Sequence, residues 1–370
     1  MKQRCVVVGT GLAGACAAWE LRQHDWQVEV HEAEATVGGN LRTATFRSVP
    51  YEPHGPHIFH TSHPEAYQVM MRAHGALNTY RHHVLTQLPG GRQLTWPLQV
   101  SELMELKEWP RLCAELDQRP AAPVGDNFQD YAVSLMGPTL YEWCCEGYTW
   151  KQWGQDPRTL SSRFAPKRLD LRTDGNRDMF RDRWQGYSQI GWHQAIEHLL
   201  TDVEVHLNST LTLGTLPEAD AYVVTAPLDQ FLEAEEELPW RGVRTEVTYY
   251  PEHSQLLAAP VVNEPSRDVA YTRQVETRQM AWCDYDETIR SLAGTVVCRE
   301  YPGAAVKHYP VDDVEGLNRH RHGTLVTMLR MLEPRAMLAG RLANYCYIDM
   351  DQAIMQGLNA ARKILRGTRE

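Results

Sequence analysis

Residues 5–14 read Cys-Val-Val-Val-Gly-Thr-Gly-Leu-Ala-Gly, an apolar run that ends at Gly9, Gly11 and Gly14. A helical pattern follows, and the alternating segment Gln-Val-Glu-Val-His-Glu then ends at Glu32. A strand, a glycine-rich turn, a helix and a second strand within about thirty residues predict a βαβ unit that opens a parallel sheet. The glycines let backbone N–H groups approach a pyrophosphate at the helix N-terminus, and Glu32 stands where a ribose-binding carboxylate is expected. The pattern therefore predicts a dinucleotide site.

A second glycine pair, Gly38-Gly39, followed by Asn40, comes shortly after Glu32. Such a pair is typical of FAD-binding oxidoreductases, in which the chain passes close under the cofactor, whereas NAD-binding domains generally lack it. We therefore predict FAD rather than NAD, with Gly39 and Asn40 among its contacts. The alternative is an ordinary loop.

The rest of the chain indicates further layers around this unit. Residues 64–85 and 99–148 have helical spacing, and residues 203–226 alternate as short strands. A closing helix is predicted over 351–366, with its apolar positions on one face. Antiparallel strands are predicted at 244–250, 269–276 and 294–299. The fold class is α/β: a nucleotide-binding domain with a helical insert and a β-rich region, to which the last strand and helix return.

Composition excludes several classes of protein. The 370 residues carry 37 Lys and Arg against 47 Asp and Glu, a formal charge of −10, which argues against a nucleic-acid partner. The apolar runs fall far short of the roughly 20 residues of a membrane span. We see no signal-peptide pattern, and the eight cysteines form no C-x-x-C pair, so reduced thiols, no zinc site and a cytoplasmic location are predicted.

Four histidines recur at every third position, at His54, His57, His60 and His63, which raises the question of a metal site. A Gly-Pro pair after the first of them breaks any helix that could align their side chains, and no carboxylate cluster is close in sequence. We therefore predict no metal, and a loop of packed, hydrogen-bonded histidines beside a cofactor.

Two further segments each allow two interpretations. Residues 148–154 are dense in aromatic and polar side chains, which suits either a buried core or a platform for a sugar or base. Residues 163–183 alternate basic and acidic side chains. They form either a solvated loop with internal ion pairs or a mobile arm that closes on a diphosphate through arginine contacts.

A series of further blocks resembles one family, the flavin-dependent UDP-galactopyranose mutases. They occur in the family's order from the first strand to the final helix, so the resemblance covers nearly the whole chain. The blocks lie at residues 54–61, 147–154, 168–172, 184–186, 271–273, 299–302, 309–311 and 340–352.

The resemblance implies three domains and a homodimer. The FAD-binding Rossmann-like domain would be discontinuous, a helical domain would carry the mobile arm, and a twisted antiparallel β-sheet domain would complete the fold. The implied bounds are 1–75 with about 190–240 and 315–370 for the FAD domain, 98–188 for the helical domain, and 76–97 with 241–314 for the sheet domain.

The implied reaction interconverts the pyranose and furanose rings of a nucleotide sugar such as UDP-galactose, without net redox change. N5 of reduced FAD would attack the anomeric carbon and expel the nucleoside diphosphate, which later returns. No protein nucleophile is needed, because the cofactor makes the covalent bond. An external reductant of the flavin is implied, and the galactofuranose product suggests cell-wall polysaccharide biosynthesis.

The resemblance also implies roles for individual residues. The implied catalytic residues are Arg168, on the arm, Arg273 and His57, of which the two arginines would stabilise the departing diphosphate. Tyr309 and Tyr347 would hydrogen-bond it, and Tyr148 and Trp153 would contact the substrate. The implied flavin contacts, beside the dinucleotide motif, are His57, Arg341, Asp349 and Met350.

Several positions depart from the family pattern. Cys144-Cys145 replaces the aromatic pair that packs the uracil, and Met179 replaces a tyrosine that contacts the diphosphate. Lys167 competes with Arg168 for the arm position, and Gln99 stands closest to a family asparagine. A further block is also altered, at residues 277–280. A mutase for a GDP- or dTDP-linked sugar, an FAD-dependent oxidoreductase such as an amine oxidase, and a non-catalytic flavoprotein therefore stay open as alternatives.

Overall fold

The structure is a computed structural model that describes residues 2–74, 77–280 and 287–367. Its strands are β1 Arg4–Val8, β2 Gln27–His31, β3 Ala44–Phe46, β4 Val49–Tyr51, β5 Phe59–Thr61, β6 Leu77–Thr79, β7 Val84–Gln87, β8 Gln93–Trp96, β9 Leu98–Gln99, β10 Leu171–Arg172, β11 Trp184–Ser188, β12 Glu204–His206, β13 Ala221–Val224, β14 Trp240–Tyr250, β15 Val261–Asn263, β16 Arg273–Val275, β17 Thr295–Pro310 and β18 Ala336–Leu338.

The helices are distributed between these strands, and the longest one ends the described chain. They are α1 Leu12–Arg22, α2 Pro64–His74, α3 Val100–Leu103, α4 Trp109–Asp117, α5 Phe128–Met136, α6 Pro138–Tyr141, α7 Gly147–Trp153, α8 Trp192–Leu199, α9 Leu228–Phe231, α10 Glu287–Ser291, α11 Leu317–Leu332, α12 Gly340–Ala343 and α13 Met350–Gly367. Short 3₁₀ turns lie at Pro157–Thr159, Ser162–Lys167, Leu213–Thr215 and Thr277–Gln279, and a π-helical turn at Glu142–Glu146.

A five-stranded parallel sheet in the order β12-β2-β1-β13-β18 forms the centre of the nucleotide-binding layer. In the central strand Val8 pairs with His31 on one side and with Val224 on the other. Residues 5–8 are buried on both faces of the sheet, as a central parallel strand requires. The predicted βαβ unit and the α/β fold class are confirmed.

The closing elements return to this layer, as predicted. Strand β18 pairs with β13, and α13 packs against α1. The two helices approach so closely that a Cβ on Gly357 would collide with the backbone of Ala13. Helix α13 presents a buried stripe that includes Ile354, Leu358 and Ala361, which explains its helical periodicity.

A second sheet has six strands in the order β14-β17-β16-β15-β7-β8. It is antiparallel except for the β7–β15 pair, which is parallel. The predicted strands at 244–250 and 294–299 are confirmed as parts of longer strands, whereas the strand predicted at 269–276 is shorter, at Arg273–Val275. Strand β15 was not predicted.

The helical prediction for residues 64–85 is wrong beyond His74. Within the described residues, Leu77–Thr79 and Val84–Gln87 are strands. Val84–Gln87 forms a hairpin with β8. The turn between the two strands is closed by a hydrogen bond of 2.7 Å from the Leu88 N–H to the Arg92 carbonyl. Pairing with strands elsewhere outweighs the local helical spacing.

In the helical region, α3 to α7, a π-helical turn that contains Cys144 and Cys145 lies between α6 and α7. The three-domain bounds stay a prediction, and their boundary at residues 75 and 76 lies outside the described residues. The cysteines in the described residues are free thiols, and Cys283 lies outside them. No helix in the described ranges is long and apolar enough to cross a bilayer.

Candidate active site

The glycine-rich turn after β1 leaves the N-terminus of α1 open. Gly9 has φ +101°, and its N–H bonds the His31 carbonyl at 2.7 Å. A Cβ on Gly14 would collide with the Gly9 carbonyl, so the turn requires glycine there. Among the described residues, no side chain caps the first turn of α1, which leaves its backbone N–H groups free for an anion.

The Glu32 carboxylate is fixed at the end of β2 beside this turn. It is buried and accepts hydrogen bonds from the Thr10 backbone N–H at 2.9 Å and from the Thr10 hydroxyl at 2.5 Å. The second glycine pair lies over the turn, because a Cβ on Gly39 would be 3.5 Å from the Gly11 Cα. A fixed carboxylate, open amides and a glycine loop fit the ribose and pyrophosphate of FAD.

A single cavity, which Asn40 next to the second glycine pair helps to line, collects most of the predicted site residues. The dinucleotide glycines and Glu32 are not among the residues that line it. The predicted residues that line it are Asn40, His57, Tyr148, Trp153, Arg168, Arg273, Tyr309, Arg341, Tyr347, Asp349 and Met350. The structure therefore brings the predicted flavin contacts and the predicted substrate contacts to one space.

Two arginines give the cavity positive charge. Arg273 Nε lies 2.6 Å from Glu300 Oε2, and Arg168 Nη2 lies 2.7 Å from Asp349 Oδ1. Burial opposes the charged form of Arg273, but the Glu300 carboxylate and the Tyr148 and Tyr309 phenols together outweigh it and raise the arginine pKa. Both guanidinium groups are thus held charged in a site largely removed from water, where a charge is strongest.

The Arg168 side chain, rather than that of Lys167, reaches the cavity. Arg168 lies over the Tyr347 ring at 4.5 Å, and its buried Nε has no hydrogen-bond partner in the described part of the chain. Lys167 is exposed, and its Nζ donates to Gln352 Oε1 at 2.8 Å. The unpartnered Nε is a donor placed for a ligand.

Arg172 and Arg181 have partners within residues 163–183, whereas Arg177 pairs with Glu102 outside that stretch, at 3.0 Å. Buried Arg172 pairs with Asp170 at 2.7 Å and donates to the carbonyl of Asn176 at 3.0 Å. Arg181 pairs with Asp174 at 2.5 Å. For Arg172 and Arg181 the interpretation as a loop with internal ion pairs is correct, and motion of the arm stays a prediction.

Tyrosines form the wall next to the arginines. The rings of Tyr309 and Tyr347 stack at 5.5 Å, and the Arg341 guanidinium lies 4.8 Å from the Tyr347 ring centre. Burial raises the pKa of Tyr309 and of Tyr148. These phenols therefore keep their protons at neutral pH and can donate hydrogen bonds to an anion.

The histidines of residues 54–63 turn to different partners. His57 donates its backbone N–H to Glu52 at 2.7 Å, and its Nδ1 lies 2.8 Å from the same carboxylate. His60 Nδ1 lies 2.8 Å from Asp182, and His54 Nδ1 lies 3.2 Å from His308 Nε2. His57, which lines the cavity, is thereby oriented by a buried carboxylate.

The departures from the family pattern also lie in the cavity wall. Cys144, Cys145 and Met179 line it. Burial raises the pKa of Cys144 to about 12, so its thiol stays protonated and acts as a small apolar group. Gln99 does not line the cavity, and its Nε2 donates to the Asn176 carbonyl at 2.7 Å.

The sequence analysis missed several aromatic residues in this wall, among them Phe128 and Phe164. Phe128 and Phe164 stack at 5.2 Å, and Phe164 lies 5.1 Å from Trp153. They come from α5 and from a 3₁₀ turn, so no local motif joined them. Of the aromatic residues beside the cysteines, Trp150 is exposed under Arg267 at 4.3 Å and does not line the cavity.

Lys151 lies in the block at residues 147–154, and the sequence analysis assigned it no role. Its Nζ donates to three backbone carbonyls, those of Glu264 at 2.7 Å, Val269 at 3.0 Å and Tyr271 at 2.7 Å. Burial lowers the pKa of Lys151 to about 8. The side chain ties α7 to the segment that precedes Arg273 and so positions that arginine.

Comparison with known proteins identifies the family. A family model described as UDP-galactopyranose mutase matches residues 144–347, and one described as an NAD(P)-binding Rossmann-like domain matches residues 7–73. The chain is 28% identical to UDP-galactopyranose mutase of Mycoplasma pneumoniae over 98% of this chain and 96% of that protein. It is 26% identical to a probable UDP-galactopyranose mutase of Klebsiella pneumoniae over 97% and 94%, and 23% identical to dTDP-fucopyranose mutase of Escherichia coli over 99% and 100%.

The fold also matches solved structures. A crystal structure of reduced UDP-galactopyranose mutase superposes with a TM-score of 0.77 at 16% identity, covering 100% of this chain and 97% of that one. Putrescine oxidase with bound putrescine gives a TM-score of 0.60 at 13% identity, covering 99% of each chain. These likenesses show a fold that mutases and oxidases share.

Fold and site together define a Rossmann-type flavoprotein with a cationic, tyrosine-lined cavity. The chain belongs to the UDP-galactopyranose mutase family, because that family's model covers more than half of it. It is an isomerase of the mutase type, and the Rossmann domain and the flavoenzyme neighbours support FAD as its cofactor.

Replacing Glu32 with alanine should weaken FAD retention roughly ten- to hundredfold, because a charge-assisted hydrogen bond contributes about 1.5–3 kcal/mol. The measurement is the flavin content per chain after gel filtration, followed by FAD titration of the apoprotein. Exposed Glu34, whose backbone rather than side chain contacts Glu32, supplies the matched control, Glu34→Ala. A protein that is colourless and cannot be reconstituted with FAD would contradict the cofactor assignment itself.

Proposed function

We propose that this protein interconverts the pyranose and furanose forms of a nucleotide sugar, UDP-galactose or a close analogue. The observation that carries the proposal is the placement of Arg168 and Arg273 in the same cavity as the predicted flavin contacts. An oxidoreductase that removes hydride from an uncharged substrate has no need for two cations at that point. A departing diphosphate needs them.

The arginines stabilise the charge that develops as the bond between sugar and diphosphate breaks. Arg273 is preorganised by Glu300, and Arg168 by Asp349, so neither must reorganise during the reaction. The Tyr309 phenol, held neutral by burial, donates a hydrogen bond to the diphosphate from the adjacent wall. Tyr347, which stacks on Tyr309, does the same.

Reduced FAD, when bound, supplies N5 as the nucleophile for the anomeric carbon. His57 and Arg341, which line the cavity, would contact its ring system, and the start of α13 at Met350 would offer backbone N–H groups that favour negative charge. Trp153 and Tyr148 form the sugar side of the cavity and exclude water from it. None of these side chains is required to form a bond to the sugar.

The test uses dithionite-reduced holoenzyme and a panel of UDP-, dTDP- and GDP-linked pyranoses, with products separated by chromatography. We expect one nucleotide sugar to give a furanose product of the same mass. Replacing Arg273 in a parallel sample distinguishes turnover at this cavity from background breakdown. If no nucleotide sugar is isomerised while an amine is oxidised, the oxidoreductase alternative takes the place of this proposal.

The identity of the base is a separate question, because Cys144, Cys145 and Met179 line the cavity. Losing a stack between a base and an aromatic side chain removes about 1–3 kcal/mol. A mutase for a GDP- or dTDP-linked sugar is therefore the second candidate. The Escherichia coli relative named as a dTDP-fucopyranose mutase shows that such a substrate occurs among the similar proteins.

We expect at least one of GDP and dTDP to bind as well as UDP or better. Titrating each nucleotide into the reduced enzyme, with flavin fluorescence as the readout, measures the three dissociation constants. Uridine, which lacks the diphosphate, serves as the control for the contribution of the base alone. A preference for UDP above roughly tenfold over both, about 1.4 kcal/mol, would leave UDP as the nucleotide.

Other features belong to the same proposal. They are the three domain bounds given above, a homodimer, a cytoplasmic location, an external reductant for the flavin, and a role in making cell-wall polysaccharide. Family resemblance supports the homodimer, and the free cysteines in the described residues agree with a reducing compartment.

A further inference from the structure

Three potential metal ligands lie on one face of the parallel sheet, away from the active-site cavity. Glu29 and His31 are two residues apart on β2, so their side chains share a face. His206, on β12, is the register partner of His31. The rings of His31 and His206 stack at 4.5 Å. One side-chain ligand atom from each of the three residues lies within 4.8 Å of the others.

The two inner atoms of this cluster have no hydrogen-bond partner among the residues that the structure describes. They are Glu29 Oε1 and His31 Nε2, which lie 3.6 Å apart. Glu29 is 7% exposed, so water does not readily replace a partner. Their outer atoms are occupied: Arg4 Nη2 lies 2.7 Å from Glu29 Oε2, and Ser209 Oγ lies 2.8 Å from His31 Nδ1.

A buried carboxylate oxygen that faces an imidazole nitrogen requires a proton or a cation between them. The hydroxyl of Ser209 and the guanidinium of Arg4 hold the two ligands in orientation, as outer partners do in metal sites.

We propose that Glu29, His31 and His206 form a binding site for a borderline divalent metal ion, with Zn²⁺ as the representative. Two imidazoles and one carboxylate are a common ligand set for zinc, with a water in the fourth position. Bonds of about 2.0–2.1 Å require the ligand atoms to draw together from their present separations. Half-buried His206, at the edge strand of the sheet, has the freedom to make that movement.

The sequence analysis predicted no metal site, because it examined spacing along the chain. Glu29 and His31 are close in sequence, but their partner is brought by strand pairing from β12. The same pairing places Glu204 beside Glu29, with Oε1 3.3 Å from His206 Nε2. This exposed carboxylate adds negative charge that favours a cation.

The test is Zn²⁺ binding by the metal-free, FAD-loaded protein, in competition with a chromophoric chelator. We expect one equivalent per chain, and a dissociation constant at least tenfold higher in His206→Gln and in Glu29→Gln. His206→Gln alters a half-buried position and should leave the fold intact, whereas Glu29→Gln also weakens the contact with Arg4. Exposed His253, outside the cluster, provides the control variant His253→Gln.

Co²⁺ in place of Zn²⁺ gives a second readout. A visible spectrum of a four- or five-coordinate nitrogen and oxygen site is expected, without a thiolate band, and His206→Gln should remove it. Less than about 0.1 equivalent of bound Zn²⁺ would overturn the proposal and leave a shared proton between Glu29 and His31. So would a Zn²⁺ affinity that His206→Gln and Glu29→Gln do not change, because the metal would then bind elsewhere.

Discussion

Replacing Arg273 with alanine should lower kcat/KM for the nucleotide sugar by roughly 10²–10³-fold, the range for loss of one preorganised donor to a developing anion. Arg273 points into the cavity, and Glu300 holds it in place at 2.6 Å. The affinity for nucleoside diphosphate should fall as well. Arg273→Lys keeps the positive charge but loses the planar guanidinium with its several N–H donors. We therefore expect its activity to lie between those of the wild type and Arg273→Ala.

The single variant has a structural side effect, because it leaves Glu300 as a buried carboxylate without its partner. The double variant with Glu300→Gln removes that uncompensated charge. Thermal unfolding should therefore recover in the double variant, while kcat/KM stays low. If activity recovers together with stability, Arg273 acts on the fold and not on the diphosphate.

Replacing Arg168 with alanine should cost at least tenfold in kcat/KM, whereas Lys167→Ala should stay within about threefold. Arg168 presents a buried, unpartnered Nε in the cavity, and Lys167 is exposed and bonded to Gln352. An exposed contact of that kind contributes little. The two neighbouring residues thus form a matched pair, measured by the same chromatographic assay.

If Lys167→Ala lowers kcat/KM more than Arg168→Ala does, the arm closes in a different register. Lys167 would then be the residue that meets the diphosphate, and the Arg168–Asp349 pair, 2.7 Å in the present structure, would hold the arm in place. Flavin content provides the control, because neither substitution touches the dinucleotide turn.

The fold was predictable where the signal is local. The turn from Gly9 to Gly14 follows β1, and the whole βαβ unit spans only a few tens of residues. The backbone of this turn requires glycine at Gly9 and Gly14. Helix α13 was predictable for the same reason, since one apolar stripe sets its period. The strands at residues 77–87 were not, because their pairing with β11 and β8 outweighs a weak helical spacing.

In the candidate site, too, the residues within local motifs were predictable and their partners on other elements were not. Apart from the dinucleotide turn, Glu32 and Gly39, the predicted site residues line one cavity, because each motif carries its own side chain. What the sequence could not supply is the partner from another element: Glu300 for Arg273, or Phe164 for Trp153. The contact of Lys151 with three carbonyls has no sequence signal at all, since carbonyls are identical at every residue.

The most direct test of a mutase with a flavin nucleophile compares one FAD-loaded preparation before and after reduction by dithionite. The substrate is the nucleotide sugar that the panel identifies, and its pyranose and furanose forms are resolved by chromatography. We expect interconversion in the reduced sample and none above background in the oxidised one, because N5 of oxidised flavin is an electron-poor imine nitrogen that does not act as a nucleophile. Equal rates in the two samples would contradict the proposed chemistry.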